Sequence, residues 1–68
     1  MRLELLAKDR NSGDKGCPGV HLDLDSSDLV ITGLTVDSSR VENVLPGEGV
    51  VRIKPEIVIE ALARYGAR

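Results

Sequence analysis

The sequence predicts a small α+β domain, in which an antiparallel sheet of three to four strands carries one C-terminal helix packed on it. Three observations carry this prediction. Apolar and polar residues alternate along VHLDLD (20–25), a β-branched segment follows at 29–36, and a helical pattern closes the chain at 55–66. Period-two alternation is typical of a half-buried strand, whereas apolar residues three and four apart are typical of an amphipathic helix. All 68 residues are predicted to form a single domain, 1–68.

The first element, RLELLAK (2–8), is predicted to be a strand with Leu3, Leu5 and Ala7 on one face. A helix of this length would be marginal in water. The segment that follows, 11–19, is rich in Gly, Asn, Ser and Asp, which is typical of a turn or a wide hairpin connection.

The next two predicted strands are VHLDLD (20–25) and LVITGLTV (29–36), joined by a turn at 26–28. Apolar residues occupy both faces of the second of these strands, which indicates that it is central or covered on both sides. Gly33 in its middle indicates a bulge or the close approach of another backbone.

A long connection, 37–49, leads to a fourth predicted strand, VVRIK (50–54), with Val51 and Ile53 on one face. Pro46–Gly47 suits the centre of a type II turn, because proline presets the first φ angle and glycine accepts the positive φ of the second position.

PEIVIEALARYG (55–66) is the predicted helix. Pro55 suits the first helical position and Gly66 can end the helix. Its predicted core-facing stripe consists of Val58, Ala61, Leu62 and Tyr65, widened by Ile59.

Composition narrows the functional classes. Cys17 is the sole cysteine, so an internal disulfide and a multi-cysteine zinc site are excluded. Nine basic residues are scattered along a chain with a net charge of −2, and Tyr65 is the one aromatic residue. Nucleic-acid binders need clustered cations and often stacking platforms, so no direct nucleic-acid partner is expected. No run is long enough to span a membrane, and the expected location is the cytoplasm.

The segment HLDLDSSD (21–28) raises the question of a metal site, because it holds the one histidine and three aspartates. On a strand, His21, Asp23 and Asp25 would point to the same side about 7 Å apart, whereas metal ligands must converge on one ion. We interpret them as a solvated strand face. A small metal- or ligand-binding module that uses these three residues remains the alternative.

Catalysis is not predicted. Cys17 has no placed base that would activate it, and the glycine-rich segments lack the spacing of a phosphate-binding loop. A chain this short also has little core from which to form a pocket. We therefore predict a protein that is not an enzyme and that has no cofactor and no catalytic residues.

Apolar residues that one helix cannot cover predict a binding surface for a protein partner, for a second copy of the chain, or for both. Exposed apolar patches larger than a few hundred Å² usually mark an interface. A regulatory role through such contacts is the leading hypothesis, and inhibition of a host enzyme by a phage or mobile-element protein would predict the same surface. The residues predicted to bind the partner are Leu29, Ile31, Leu34, Val41, Val44 and Leu45.

The order of features resembles a family of short actinobacterial proteins that includes the bald-type developmental regulator and is commonly encoded beside helix-turn-helix regulators. The matching segments are NSGDKGC (11–17), VHLDLD (20–25), LTVDSS (34–39) and VVRIKPEIVIEAL (50–62). The chain departs from the family outline in having no tryptophan and in carrying Gly16 where asparagine is typical. The resemblance implies a non-catalytic regulatory partner, with no established active-site residues to carry over. Together with the predicted apolar surface, it gives the hypothesis of a homo-oligomer or a partner of a transcription regulator.

Overall fold

A computed structural model describes residues 1–11 and 18–68 and confirms the α+β class. A three-stranded antiparallel sheet carries a C-terminal helix, and a separate two-stranded ribbon precedes that helix. Cys17 and most of the predicted Gly-rich connection lie outside the described residues. The elements are β1 (Leu3–Lys8), β2 (Gly19–Asp23), β3 (Leu29–Thr32), β4 (Leu34–Thr35), a 3-10 helix (Ser38–Arg40), β5 (Val51–Arg52) and α1 (Pro55–Gly66).

Strand β2 lies at the centre of the sheet, between β1 and β3, and both pairings are antiparallel. The alternation predicted for this strand is confirmed over 19–23, where Val20 and Leu22 are buried. The strand ends at Asp23, two residues earlier than predicted. The carboxylate of Asp23 accepts backbone N–H bonds from the residues that follow, and these bonds favour a turn over continued pairing.

A β-bulge changes the face that β1 presents to the core. Leu5 lies opposite His21 and Ala7 lies opposite Val20, so Leu6 has no partner across the ladder. A bulge of this kind inserts one extra residue and bends the strand. The side chains of Leu6 and Ala7, although neighbours in sequence, are both buried.

The predicted face of β1 is therefore wrong in part. Leu3 and Leu5 are 44% and 46% exposed, whereas Leu6 is 2% exposed. Leu3 and Leu5 lie opposite Asp23 and His21, on the sheet face that looks away from the helix. Simple alternation cannot foresee this outcome, because the bulge shifts the pattern by one residue within the strand.

The core lies between α1 and the sheet, and Ile53 packs against its edge. The helix lies mainly over β1 and β2. The apolar stripe predicted for the helix is only partly buried, because the two strands beneath the helix are narrower than the stripe. Ala61 is buried, but Leu62 and Tyr65 are exposed. The buried core residues are Leu6, Ala7, Val20, Leu22, Ile57 and Ala61.

The predicted strand 29–36 is divided into two strands at Gly33. Before Gly33, β3 belongs to the three-stranded sheet; after it, β4 pairs with β5 in the ribbon. The close backbone approach predicted at Gly33 is confirmed, since a Cβ added there would overlap the carbonyl oxygen of Arg52. The fourth predicted strand, 50–54, is reduced to Val51–Arg52.

The predicted turn at Pro46–Gly47 is confirmed. The backbone N–H of Glu48 donates to the carbonyl of Leu45 at 3.0 Å, and Gly47 has a φ of 89°, as the third position of a type II turn requires. The Glu48 side chain closes the same turn by accepting the N–H of Leu45 at 2.8 Å.

Candidate functional site

The three residues that raised the question of a metal site have separate roles. Asp23 Oδ1 accepts the backbone N–H of Asp25 at 2.9 Å, and the carboxylate of Asp25 pairs with the guanidinium of Arg2 at 2.8 Å. His21 lies half-buried in the middle of β2. Within the ranges 1–11 and 18–68, no group of three or more His, Cys, Asp or Glu side chains is placed to hold a metal ion. The carboxylates shape and anchor the turn after β2.

Asp23 and Asp37 are expected to titrate at a lower pH than an ordinary aspartate. The pKa of each carboxyl lies below its ordinary value, chiefly because a backbone N–H donates to it, from Asp25 in the first case and from Ser39 in the second. A depressed pKa means that the carboxylate stabilises the fold above its unfolded pKa, and that this contribution is lost as the pH falls through the folded pKa. An NMR titration of the carboxyl carbons should give both midpoints below those of Asp in unfolded peptides, and equal midpoints would contradict the turn geometry.

The two faces of the sheet differ in what covers them. The register places Leu29 opposite Leu22 and Ile31 opposite Val20, and residues directly opposite in an antiparallel pair point to the same face. Since Leu22 and Val20 are buried under α1, the side chains of Leu29 and Ile31 lie on the helix side of the sheet. They remain 39% and 42% exposed because the helix lies over the other two strands.

One flank of α1 faces the same uncovered region. Glu60 accepts a bond from the guanidinium of Arg10 at 3.0 Å, which fixes that flank of the helix on the β1 side. Successive residues of a helix are rotated by about 100° about its axis. Glu60 lies on one side of the buried Ile57, toward β1. Residues roughly 80–140° around the helix on the opposite side of Ile57 therefore lie toward β3. These residues are apolar: Val58, Leu62 and Tyr65.

Together these side chains, on β3 and on the neighbouring flank of α1, make up the candidate site, which we call the β3–α1 surface: Leu29, Ile31, Val58, Leu62 and Tyr65. Leu62 and Tyr65 are 53% and 46% exposed, and Val58 is half-buried. No charged residue belongs to the set. By contrast, the ion pairs of Arg2, Arg10, Arg64 and Arg68 lie around β1, its end of the helix or the turn after β2.

The predicted partner-binding residues fall into two groups. Leu29 and Ile31 belong to the β3–α1 surface. Leu34 lies beyond the Gly33 break in the ribbon, and the others lie in the long connection, so the sheet face of β3 does not continue through them. Leu34, Val41 and Leu45 are exposed and Val44 is half-buried. Sequence reasoning missed Val58, Leu62 and Tyr65 as surface residues, because the helical period assigns them to the core.

The opposite face of the sheet carries a second, more mixed set of side chains. Leu5 and Val30 flank His21, one on each neighbouring strand. Leu3 lies opposite Asp23 at the end of the same face. His21 and Asp23 lie among these apolar side chains, so this face carries polar groups that the β3–α1 surface lacks.

No model of a known protein family, no curated protein and no solved structure matches this chain. No helix within the described ranges combines the length and the apolar character needed to cross a membrane. The candidate site therefore rests on the chain's own geometry.

Proposed function

We propose that this protein is a non-catalytic interaction module that binds another protein chain through the β3–α1 surface. The observation that carries the proposal is the set of apolar side chains on β3 and α1 that adjoins the core and has no charged member. Contiguous apolar patches of more than a few hundred Å² on a monomeric protein usually mark an interaction site.

The balance between buried and exposed apolar groups supports the proposal. Six hydrophobic residues are buried among the described residues, while thirteen large ones are exposed. Full burial of a Leu or an aromatic side chain contributes about 1.5–3 kcal/mol relative to leaving it exposed. Covering the remaining exposed area of Leu62 and Tyr65 would therefore add appreciably to a core that is small for independent stability.

The finer proposal is a regulatory role in the cytoplasm, with a transcription regulator as one candidate partner. The resemblance to the family of the bald-type developmental regulator supports the regulatory part. The lone cysteine and the absence of a disulfide framework in the sequence support a reducing compartment.

The metal- or ligand-binding alternative gains no support from the described residues. Asp23 and Asp25 engage the turn amides and Arg2, and within the described ranges His21 belongs to no group of three or more potential metal ligands. Recruiting both carboxylates to an ion would disrupt the turn that ends β2.

A concentration series measured by multi-angle light scattering, with a hydrophobic dye in parallel, tests the proposal. We expect either self-association or dye binding, because the β3–α1 surface must be covered by a second chain or be free for the dye. The variant Leu62→Ser/Tyr65→Ser should weaken whichever signal the parent shows. The matched control is Ile59→Ser, since Ile59 is 67% exposed on the outer side of the helix. A parent protein that stays monomeric and binds no dye would rule out the proposal.

A further inference from the structure

We infer that the chain that covers β3 is a second copy of this protein, joined edge to edge. Two β3 strands pair antiparallel across a twofold axis and double the three-stranded sheet, with the two β3–α1 surfaces on the same side. This inference rests on the proposed function and specifies its partner.

The two edges of the sheet, β1 and β3, are protected to different degrees. Natural edge strands avoid unwanted pairing through charges, prolines and bulges. β1 has such protection, because it carries Glu4, Lys8 and the bulge at Leu6. β3 has the sequence LVIT, with no charge, no proline and no bulge in its ladder. Its edge is the one open to a further strand.

The backbone groups at the β3 edge follow from the pairing of β2 with β3. The N–H of Asp23 donates to the carbonyl of Asp28 at 2.8 Å, and these two residues continue the register of the two strands. Hydrogen-bonded pairs alternate along an antiparallel ladder, so the even-numbered residues of β3 bond to β2. Leu29 and Ile31 consequently direct their N–H and C=O groups away from the sheet. The same two residues contribute exposed apolar side chains to the β3–α1 surface.

Two conditions restrict the register of the pair, and the pairing of both outward residues of each β3 then selects one register. Outward backbone groups must face outward groups of the added strand, and side chains directly opposite must lie on one face. Placing Leu29 opposite Ile31 of the second copy satisfies both conditions. Val30 then meets Val30 of the second copy at the axis. Each chain donates and accepts through both outward residues, and the apolar pairs form on the helix side.

Charge also favours a second copy as the occupant. The charged residue nearest to the shared edge is Asp28, which would lie opposite Thr32 of the other copy. The two Asp28 residues are then four positions apart along the strands, roughly 14 Å. This separation exceeds the Debye length of about 8 Å at physiological salt, so repulsion between them is screened. Nothing charged lies between them along β3.

The test combines light scattering with amide hydrogen exchange followed by NMR on the intact chain. We expect a dimer in which the Leu29 and Ile31 amides are protected, because these N–H groups have a hydrogen-bond acceptor only when a strand is added. Ile31→Lys should weaken dimerisation by at least about 100-fold, since it places two like charges in the paired edge. Ile59→Lys, the matched control on the outer side of α1, should leave the dimer intact.

The outcomes separate edge pairing from the proposed function. A dimer that persists in Ile31→Lys, or one whose Leu29 and Ile31 amides exchange freely, overturns edge pairing and leaves an interaction module with another interface. A monomer that binds the hydrophobic dye overturns self-pairing and leaves the surface for a different protein. Circular dichroism verifies that Ile31→Lys is folded. If it is not, amide protection in the parent protein decides the question without the variant.

Discussion

Replacing Leu6 with alanine is expected to lower the free energy of unfolding by about 2–5 kcal/mol, the usual cost of truncating a fully buried leucine. Leu6 is one of the two largest fully buried side chains, together with Val20. The loss includes the transfer of the leucine side chain out of the core and the cavity that it leaves between β1 and α1. Urea denaturation followed by far-UV circular dichroism measures the change.

This effect is large relative to the whole fold. A domain of this size has a total stability of roughly 3–10 kcal/mol, so Leu6→Ala is expected to remove a large share of it and to lower the urea midpoint markedly. Leu5→Ala is the control, because Leu5 is adjacent, has the same side chain and is 46% exposed. It should cost less than about 1 kcal/mol in the monomer. If Leu5→Ala were the more harmful of the two, β1 would pair by simple alternation and the bulge would be wrong.

The fold class can be predicted from the sequence because two segments follow a single period without interruption. Val20 and Leu22 alternate with polar residues on β2, and 55–66 carries Pro55 at its start and a helical apolar pattern. The apolar period and the residues at the helix ends depend only on neighbouring positions in the sequence, so tertiary contacts do not change what they predict. The type II turn at Pro46–Gly47 is predictable for the same reason, since both residues set their own φ angles.

Features that depend on distant segments are predicted less well. The bulge at Leu6 arises from how β1 pairs with β2, and the sequence of β1 alone does not specify its register against β2. The division of 29–36 at Gly33 depends on the approach of Arg52, which is distant in the sequence. The glycine itself is the signal, because a residue without a Cβ permits a contact that no other residue allows there.

The candidate site shows the same limit. Leu29 and Ile31 are predictable because a single helix cannot cover every apolar residue of the predicted sheet. Leu62 and Tyr65 are not, because a helical period shows which side is apolar but not how much sheet lies beneath it. When the apolar side of a helix is wider than the strands beneath it can cover, the uncovered part indicates an interface. This can be recognised only when the number of strands beneath the helix is known.

The dimer inferred from β3 would give this arc a role. A joined sheet places the apolar flank of α1 beside the paired β3 strands, so Leu62 and Tyr65 would border a shared apolar region. The charged flank, held by the Arg10–Glu60 pair, would face outward at both ends of the assembly. The apolar flank of each helix would then border the interior of the pair, and the flank with Glu60 would lie at its rim.

Replacing Gly33 with alanine is the second large effect that we expect, with a loss of about 1–3 kcal/mol from steric overlap. The added methyl group would overlap the carbonyl oxygen of Arg52, and backbone cannot move aside as a flexible side chain can. Relief requires β5 to shift away from the β3–β4 junction. Such a shift would draw Ile53, which packs against the core, out of its position. Thermal unfolding and the amide chemical shifts of 50–54 should both report the change.

Gly49→Ala is the matched control, because a Cβ at Gly49 would meet no atom within 4 Å. Its stability should stay within about 0.5 kcal/mol of the parent, as for most surface substitutions. The same substitution at two glycines of one chain therefore separates a tight backbone contact from the general loss of glycine flexibility. If both variants are equally stable, the ribbon of β4 and β5 does not lie against Gly33, and the contact with Arg52 is not what ends β3.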